Sequence, residues 1–453
     1  MVLVKKYWKI KNKSERIRIR KYYKKIRRQH RLNKKKIELN NHIDQLFSSY
    51  NFLFNNFINK KYKPTYKKDK LNTIVETMPK IFSLRDNYVE SINFVIEIAS
   101  LCTRKILNNT KLIYIDMRNC EKYDLDASCL LDSVMDKLKY IANFFKTDFK
   151  VDFPLIKNEK AYINFLTTSF VNDELFHTKD NRPVYELREK VSNSKKVKFV
   201  DFDKNESKNS EIVVTRIIDM IFDKSVDTGN YKADLGQILG EILDNIKEHS
   251  GNDFPWYIVG NLIPKNEYNK SRVELVIMNY GKTFYQNLDE FLAEDNKAKF
   301  PKQYNKISNL TEKILDKHKT FLNKKYYDLD QIYTYMLLQE GFSSKIITDD
   351  NKVKRGSGIV RLLETLERIS NTEDKKKSNM ILYSGKTAIN FLNRYNVTKN
   401  TELGQNLKTI CLNDKNSLFQ KLDKSAIIVS NIEIPGTLIY LDFELKEELL
   451  YEN

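Results

Sequence analysis

A pair of polar residues near the middle of the chain has the spacing of a metal and phosphate site. In GEILDNIKEHS, Glu241 and Asn245 stand one helical turn apart and therefore share one face of a helix. The amide oxygen of Asn245 can ligate Mg²⁺, and a carboxylate beside it can orient or deprotonate a water molecule or a hydroxyl group. An amphipathic helix with a solvated polar face has the same pattern, so the pair alone leaves both interpretations open.

Two later segments supply groups that a nucleotide site also needs. VELVIMNYGKTF places Asn279 and Gly281 directly after an apolar strand, where a short polar side chain can contact a base edge and a glycine lets the backbone approach the ligand. KRGSGIVRLLETLE places Gly356 and Gly358 before a helix, an arrangement that presents free N–H groups to phosphate. Three segments in this order are more specific than any one of them, and together they predict a nucleotide site.

With these segments the chain resembles the ATP-binding domain shared by gyrase, the heat-shock chaperone ATPase, histidine kinases and mismatch-repair ATPases, the GHKL superfamily. The resemblance covers roughly residues 205–447. It implies a Bergerat-type α/β sandwich, in which helices cover one face of a mixed sheet, and it implies ATP and Mg²⁺ as cofactors. The family's first motif is a glutamate followed four residues later by an asparagine, which implies that Glu241 is the base and that Asn245 ligates Mg²⁺.

The resemblance also implies which residues face the base of the nucleotide. The family's second motif is Asp-x-Gly, whose aspartate bonds the adenine amino group; here Asn279 replaces the aspartate and Gly281 is the glycine. The carboxamide oxygen of Asn279 can still accept this bond, directly or with help from water, and the replacement bears on selectivity for adenine. The family's last strand resembles PGTLIYLDF, in which Thr437 is expected near the adenine pocket.

On the phosphate side, the family's glycine motif matches Gly356, Ser357 and Gly358, which are expected to contact the phosphates. A lid of roughly residues 284–355 is expected to close over them. His249 follows the first motif, and two roles are open for it: an approach to the phosphates, or capping and packing of its own helix.

The residues after the first motif favour one branch of this superfamily. Histidine kinases carry a lysine three residues after the motif asparagine, whereas this chain has Glu248, followed by His249 and Ser250, which is closer to the anti-sigma-factor serine kinases. We therefore expect a regulatory protein that hydrolyses ATP or transfers its γ-phosphate to a protein partner. The alternative is an ATP-dependent switch or binding module with little turnover. Many relatives dimerise, so a homodimer is also open.

The apolar pattern of residues 75–200 predicts a small α/β domain ahead of the ATP-binding region. The helix SINFVIEIASLCTRKIL precedes a strand from Leu112 to Met117, and the helix LDASCLLDSVMDKLKYIANFF follows it. YIDMRNCEKYDLDASCLLDSVM resembles the STAS fold of anti-sigma-factor antagonists. That resemblance aligns Ser128 with the family's phosphorylated serine, with Asp126 before it and Cys129 in place of the usual glycine. A phosphoacceptor at Ser128 and a purely structural STAS-like domain are both open.

Helices and strands of suitable periodicity surround the C-terminal motifs. The helices EIVVTRIIDMIFDKS and LGQILGEILDNIKEHS precede the strands FPWYIVGNLI, VELVIMNYG, NMILYSGKT and AIIVSNIEIPGTLIYLDFEL. This order predicts an α/β sandwich from about residue 205. SGKT at Ser384–Thr387 is similar to the end of a P-loop, but Met380 stands where that loop needs its first glycine. We therefore predict a β-turn at SGKT.

The positive charge of the chain is concentrated in an N-terminal arm. The net charge is +19 over 453 residues, and residues 1–40 hold 17 lysines and arginines against two acidic residues. Residues 1–70 are predicted to form a basic helical arm, whose cations and aromatic rings suit contact with the phosphates and bases of a nucleic acid. A solvated basic helix has the same composition, so both interpretations are open.

Length and composition predict a cytoplasmic protein of two or three folding units, which we divide at residues 1–70, 75–200 and 205–447. No apolar stretch reaches the roughly 18 residues that a membrane span needs, and the mean hydropathy is −0.56. We expect no membrane partner. The four cysteines are scattered without a C-x-x-C pair, which predicts reduced thiols and no zinc site.

Overall fold

The computed structural model describes most of the C-terminal half of the chain and parts of the rest. The described residues are 24, 73–105, 112–145, 150–152, 156–158, 161, 164–165, 185–192, 210–222, 230–250, 255–263, 271–342, 358–370, 379–391, 395, 397–402 and 407–445. The chain forms two compact units, Met1–Asn51 and Phe52–Asn453. Apart from Lys24, which is helical and exposed, the predicted basic arm of residues 1–70 and its contact with nucleic acid lie outside the described residues.

The second unit begins with a small α/β arrangement, residues 73–152, which we call the middle segment. Its elements are β1 (Thr73–Thr77), β2 (Ile81–Phe82), α1 (Tyr88–Lys105), β3 (Leu112–Asp116), β4 (Lys122–Tyr123), α2 (Leu125–Phe145) and β5 (Lys150–Asp152). A parallel sheet has the strand order β1-β3-β5, and β2 pairs with β4 in parallel. The two helices and the central strand predicted for this part of the chain are confirmed as α1, α2 and β3.

The larger part of the second unit is built on a five-stranded sheet. Its elements are β6 (Tyr185–Ser192), α3 (Ser210–Ile221), α4 (Tyr231–Ser250), β7 (Pro255–Ile263), β8 (Arg272–Asn279), α5 (Phe284–Phe291), α6 (Glu294–Lys299), α7 (Pro301–Asn323), α8 (Leu329–Leu337), α9 (Gly358–Ile369), β9 (Asn379–Asn390), β10 (Val397–Asn400), β11 (Leu407–Ile410) and β12 (Ile427–Glu444). The strand order is β6-β7-β8-β12-β9. The chain is therefore a mixed α/β protein, and none of its described helices has the length and apolar character that crossing a membrane requires.

The direction of the strands differs from the expectation. We predicted a mixed sheet, and this is wrong for the described strands, because all four neighbouring pairs run antiparallel. The apolar pattern of a strand indicates which of its residues are buried, but it carries no information about the direction of the neighbouring strand. β6 comes from the segment that we assigned to the domain 75–200, and it pairs with β7 at one edge of this sheet.

The two faces of this sheet pack against different parts of the chain. Side chains alternate between the faces along each strand. On one face, Trp256, Ile277 and Ile439 belong to a core that also contains residues of the helices α3, α4 and α9. On the opposite face, the Tyr383 hydroxyl donates a hydrogen bond to Asp126 of the middle segment, 3.4 Å away. The sheet therefore lies between a layer of helices and the middle segment.

The expected lid is largely part of the fold. Residues 284–342 form α5 to α8, and Leu288, Ile314 and Ile332 from these helices are completely buried in the same core as the sheet. Capping boxes at Thr283 and Asp328 begin α5 and α8. The prediction of a lid over residues 284–355 is therefore wrong for 284–342, because the apolar faces of these helices are buried. Residues 343–357 lie outside the described residues.

The SGKT segment is a strand, and our prediction of a β-turn there is wrong. Ser384 lies within β9 and pairs with Thr437 of β12, and the pairing continues through irregular steps to Gly385, opposite Ile434. Gly385 adopts a positive φ of 61°, which accommodates the irregularity at no steric cost. The turn signal in the sequence comes from this glycine, while the long partner strand continues the pairing beyond it.

Candidate functional site

Glu241 and Asn245 lie on one polar stripe of α4. The adjoining side of this helix is apolar, and its completely or nearly completely buried residues are Leu235, Ile238, Leu239, Ile242, Leu243 and Ile246. Glu241 and Asn245 are half-buried beside that apolar side, whereas Asp244 is exposed. Burial of the apolar side holds the helix against the sheet, and it turns the carboxylate and the carboxamide toward the next element that packs on α4.

That next element is the start of α9. The two helices pack against each other, and Gly358, the first residue of α9, is buried. An ideal Cβ atom on Gly358 would stand 3.5 Å from Glu241 Oε1 and 3.7 Å from Asn245 Nδ2. The structure therefore brings together residues from two of the predicted motifs. The first turn of a helix carries backbone N–H groups that have no partner inside the helix and can donate to an anion. Gly356 and Ser357 lie outside the described residues.

Arg361 is a further charged residue of this group. Its Nη1 donates to Glu241 Oε2 at 3.0 Å, and the two side chains are 33% and 24% exposed. A guanidinium has five N–H donors, so this contact leaves others for an anion. We did not predict Arg361 from the sequence. The available signal was its position one turn after Gly358, but its partner is known only once α4 and α9 are side by side.

Asn279, Gly281 and Thr437 form a second group, at the end of β8. Asn279 pairs with Trp256 on one side and with Thr437 on the other. It continues the series of alternate residues that includes Ile277, so its side chain lies on the helix-covered face. Its Oδ1 accepts hydrogen bonds from the backbone N–H of Gly281 at 3.1 Å and from that of Thr437 at 3.2 Å. The structure thus joins these three predicted residues through one carboxamide.

Two residues that we did not predict support this second group. Gly436 has a φ of 68°, and an ideal Cβ there would lie 2.2 Å from the backbone oxygen of Asn279, so only glycine fits. The Ser384 hydroxyl accepts from the Phe284 N–H at 2.9 Å and lies 3.3 Å from the Thr437 hydroxyl. Both contacts depend on strands that are distant in sequence, although the PGT triplet is itself a recognisable signal for a special backbone conformation.

Both groups lie on the same side of the five-stranded sheet. α4, which carries Glu241 and Asn245, packs on β7 and β8, and β8 ends at Asn279. The first group offers oxygen ligands, a guanidinium and a helix N-terminus, which suit phosphates and a cation. The second group offers a short polar side chain and a backbone that can be approached closely, which suit the edge of a base.

Ser128 has no access to a kinase in this structure. The residue is completely buried near the start of α2, and its hydroxyl lies 3.2 Å from that of Tyr123. Asp126 is also buried: it accepts hydrogen bonds from the backbone N–H groups of Leu84 and Arg85, and burial raises its pKa to about 7. The start of this helix is packed inside the unit, so transfer of a phosphate to Ser128 would require it to open.

The donor set of the first group suits Mg²⁺. This cation takes oxygen ligands and is usually held by one or two side chains together with the phosphates of a substrate. Glu241 and Asn245 supply a carboxylate and an amide oxygen, and the missing side chain of Gly358 leaves space beside them. Among the described residues, no cluster of three or more His, Cys, Asp and Glu side chains could hold a metal. The side chain of His249 lies outside the described part.

No known protein family, no curated protein and no solved structure matches this chain. Its function is therefore inferred from the side chains and backbone groups that the two groups bring together.

Proposed function

We propose that this chain is a regulatory protein that binds a nucleoside triphosphate together with Mg²⁺, ATP being the nucleotide that the resemblance to the GHKL superfamily implies. The proximity of Gly358 to Glu241 and Asn245 supports this proposal most strongly. Two motifs that are more than a hundred residues apart meet there, and they meet with chemistry that complements a triphosphate. The layer of helices on one face of the sheet is consistent with a sandwich of the Bergerat type.

Each residue has a distinct role in this proposal. Asn245 would hold Mg²⁺ through its amide oxygen, with the first turn of α9 donating backbone hydrogen bonds to phosphate. When bound, the cation would neutralise the phosphates and polarise the γ-phosphoryl group. Arg361 adds positive charge on the same side, and Glu241 is the carboxylate that pairs with it.

The reaction proposed for this site is hydrolysis of the nucleotide or transfer of its γ-phosphate to a protein. Glu241 would orient the attacking water or hydroxyl group and take its proton. In the structure this carboxylate is paired with Arg361 at 3.0 Å. The ion pair engages one oxygen of the carboxylate and holds the side chain in one orientation. Turnover therefore requires the pair to rearrange, for example when the guanidinium turns to a phosphate.

A second candidate function, a nucleotide-dependent switch with little turnover, has its own support. Tyr280 stands between Asn279 and Gly281 in the chain, and its side chain points to the opposite face of the sheet. There its hydroxyl contacts that of Ser133 in α2 of the middle segment. The second group is thus one residue away from a contact with the middle segment. A conformational change on binding of the base can therefore be transmitted to the middle segment.

One experiment separates these functions. The full-length protein is incubated with γ-labelled ATP and Mg²⁺, and free phosphate and labelled protein are both followed, with a chelator as the metal-free control. Release of phosphate supports hydrolysis, and labelled protein supports phosphotransfer. Metal-dependent binding without either product supports the switch. If no nucleotide binds, the proposed function is wrong.

Asn245→Ala tests the metal ligand. Because the substitution deletes an oxygen ligand, we expect Mg·ATP to bind about tenfold or more weakly, with much less effect on nucleotide in the presence of chelator. Calorimetry measures both affinities. Asp244→Ala, which alters an exposed carboxylate on the same helix, is the matched control. Equal losses with and without Mg²⁺ would rule out a metal contact at Asn245.

A further inference from the structure

The orientation of the Asn279 carboxamide is determined by its neighbours. Two backbone N–H groups, those of Gly281 and Thr437, point to the same terminal atom at 3.1 and 3.2 Å. Both are donors, so this atom must be the oxygen; a flipped amide would face two donors with its own NH₂ group. The oxygen has two lone pairs, and both are used within the fold. The side chain is also confined, because an ideal Cβ on Gly436 would lie 2.4 Å from this oxygen.

The other end of the carboxamide is therefore the group that remains for a ligand. Asn279 is 2% exposed, and within the described part of the chain its amide nitrogen makes no hydrogen bond. An NH₂ group can only donate. An aspartate in the same place would differ at this one atom: one oxygen would still accept the two backbone bonds, while the second would be an acceptor for the ligand.

This difference matters because purine bases differ in the same respect at carbon 6. Adenine carries an amino group there, which donates, whereas hypoxanthine and guanine carry an oxygen, which accepts. We infer that Asn279 makes the proposed nucleotide site select nucleotides with a 6-oxopurine base over those with a 6-aminopurine base. The inference rests on the proposed function. It leaves the triphosphate and Mg²⁺ chemistry unchanged and revises only the base.

The expected difference in affinity between the two kinds of nucleotide follows from the cost of leaving hydrogen-bond donors unpaired. A 6-amino group facing the Asn279 NH₂ group leaves two donors without an acceptor, while a 6-oxo group makes a hydrogen bond. Sites that hydrogen-bond one substrate group commonly reject the mismatched analogue by at least tenfold. We therefore expect inosine triphosphate to bind the full-length protein at least about tenfold more tightly than ATP. Asn279→Asp should reverse the preference by a similar factor.

Calorimetry with ATP, inosine triphosphate and GTP, each with Mg²⁺, tests this on the wild-type protein and on Asn279→Asp. Inosine and guanosine triphosphates share the 6-oxo group, and only GTP has the 2-amino group, so tighter binding of both, or of inosine triphosphate alone, supports the inference. Asn323→Asp, the same substitution at an exposed position near the end of α7, controls for the added charge, and circular dichroism checks that each variant folds.

The possible failures can be told apart. If the wild type binds ATP as tightly as inosine triphosphate or more tightly, the inference is wrong while the proposed function stands. If the ratio of the two affinities is the same in folded Asn279→Asp as in the wild type, Asn279 does not read the base. Binding of no nucleotide by the wild type would refute the proposed function and, with it, this inference.

Discussion

The two faces of the five-stranded sheet are built by different chemistry. On the helix-covered face the interior of β8 is apolar, as at Leu275 and Ile277, and its polar residue Asn279 stands at the strand end, beside Thr437 of β12. On the opposite face the charged residues Glu274 and Asp442 are buried alongside apolar residues such as Val276 and Leu438. One face is joined to its helices by the hydrophobic effect, which is not directional. The other joins the middle segment through directional contacts.

Asp442 is the centre of the contacts on that opposite face. Arg272, from the neighbouring strand, donates two hydrogen bonds to it at 2.6 and 2.8 Å. Arg85, from the middle segment, donates a third at 3.1 Å and also lies 3.4 Å from Asp124. The guanidinium of Arg85 stands 6.0 Å from the centre of the Tyr440 ring. One carboxylate thus pairs with an arginine from each partner in the contact.

The two faces differ in what they contribute to the protein. A buried ion pair contributes little net free energy but fixes one arrangement of its partners, because loss of either charge leaves the other unpaired. The opposite face is therefore suited to hold the middle segment in one orientation. The helix-covered face needs no charges in its interior, and the amide nitrogen of Asn279 is the group there that we propose for a ligand.

The largest effect is expected on the opposite face. Asp442→Ala removes the carboxylate that Arg85 and Arg272 share. Each arginine retains a second carboxylate, Asp124 for Arg85 and Glu274 for Arg272, so we expect the free energy of unfolding to fall by about 3 kcal/mol. Urea denaturation measures the change. Glu290→Ala removes an exposed pair with Lys282 and should cost no more than about 1 kcal/mol. Similar small losses for both variants would show that the network on the opposite face does not hold the contact together.

On the helix-covered face we expect a smaller change in the free energy of unfolding than for Asp442→Ala, together with a loss of activity. Glu241→Gln retains the shape of the side chain and loses its basicity, so turnover should fall by about 100-fold. Nucleotide affinity should be steady or slightly higher, because one negative charge near the phosphates is gone. Steady-state kinetics and calorimetry measure the two quantities.

Two outcomes for Glu241→Gln would contradict the assignment. Unchanged turnover would mean that Glu241 is not the base, and loss of nucleotide binding in a folded variant would make it a binding residue. A stability loss as large as that of Asp442→Ala would remove the contrast between the two faces.

The smallest effect is expected at Tyr280, which follows Asn279 in the chain and contacts the middle segment on the opposite face. Tyr280→Phe removes the hydroxyl that contacts Ser133 and keeps the ring, which packs edge-on against Tyr257. The loss of one hydrogen bond corresponds to about 1 kcal/mol, so we expect nucleotide affinity to change by no more than about fivefold. A matched Tyr257→Phe variant keeps the same ring contact. If Tyr280→Phe and Tyr257→Phe change nucleotide affinity equally, the Ser133 contact does not connect the two faces.

Much of the local structure could be predicted from the pattern of apolar residues. α4, β8 and α9 occur where the sequence predicted them, and the first two carry Glu241, Asn245 and Asn279 in the predicted context. The errors share one cause. SGKT was predicted as a turn from its own residues, and 284–342 was predicted as a lid from its place between motifs. In each case the deciding interaction was with a distant partner, β12 for SGKT and the shared core for the four helices.

The sequence by itself determined which residues can do chemistry and which elements carry them, because side-chain type, one-turn spacing and amphipathic periodicity are local properties. Only the tertiary structure decided that Gly358 lies against Glu241 and Asn245, that Arg361 pairs with Glu241, and that Ser128 is sealed inside the unit. It also decided the orientation of the Asn279 amide, since the two donors that hold its oxygen come from Gly281 and from Thr437, more than 150 residues away. Such contacts form between elements whose packing depends on the whole core, so no local pattern records them.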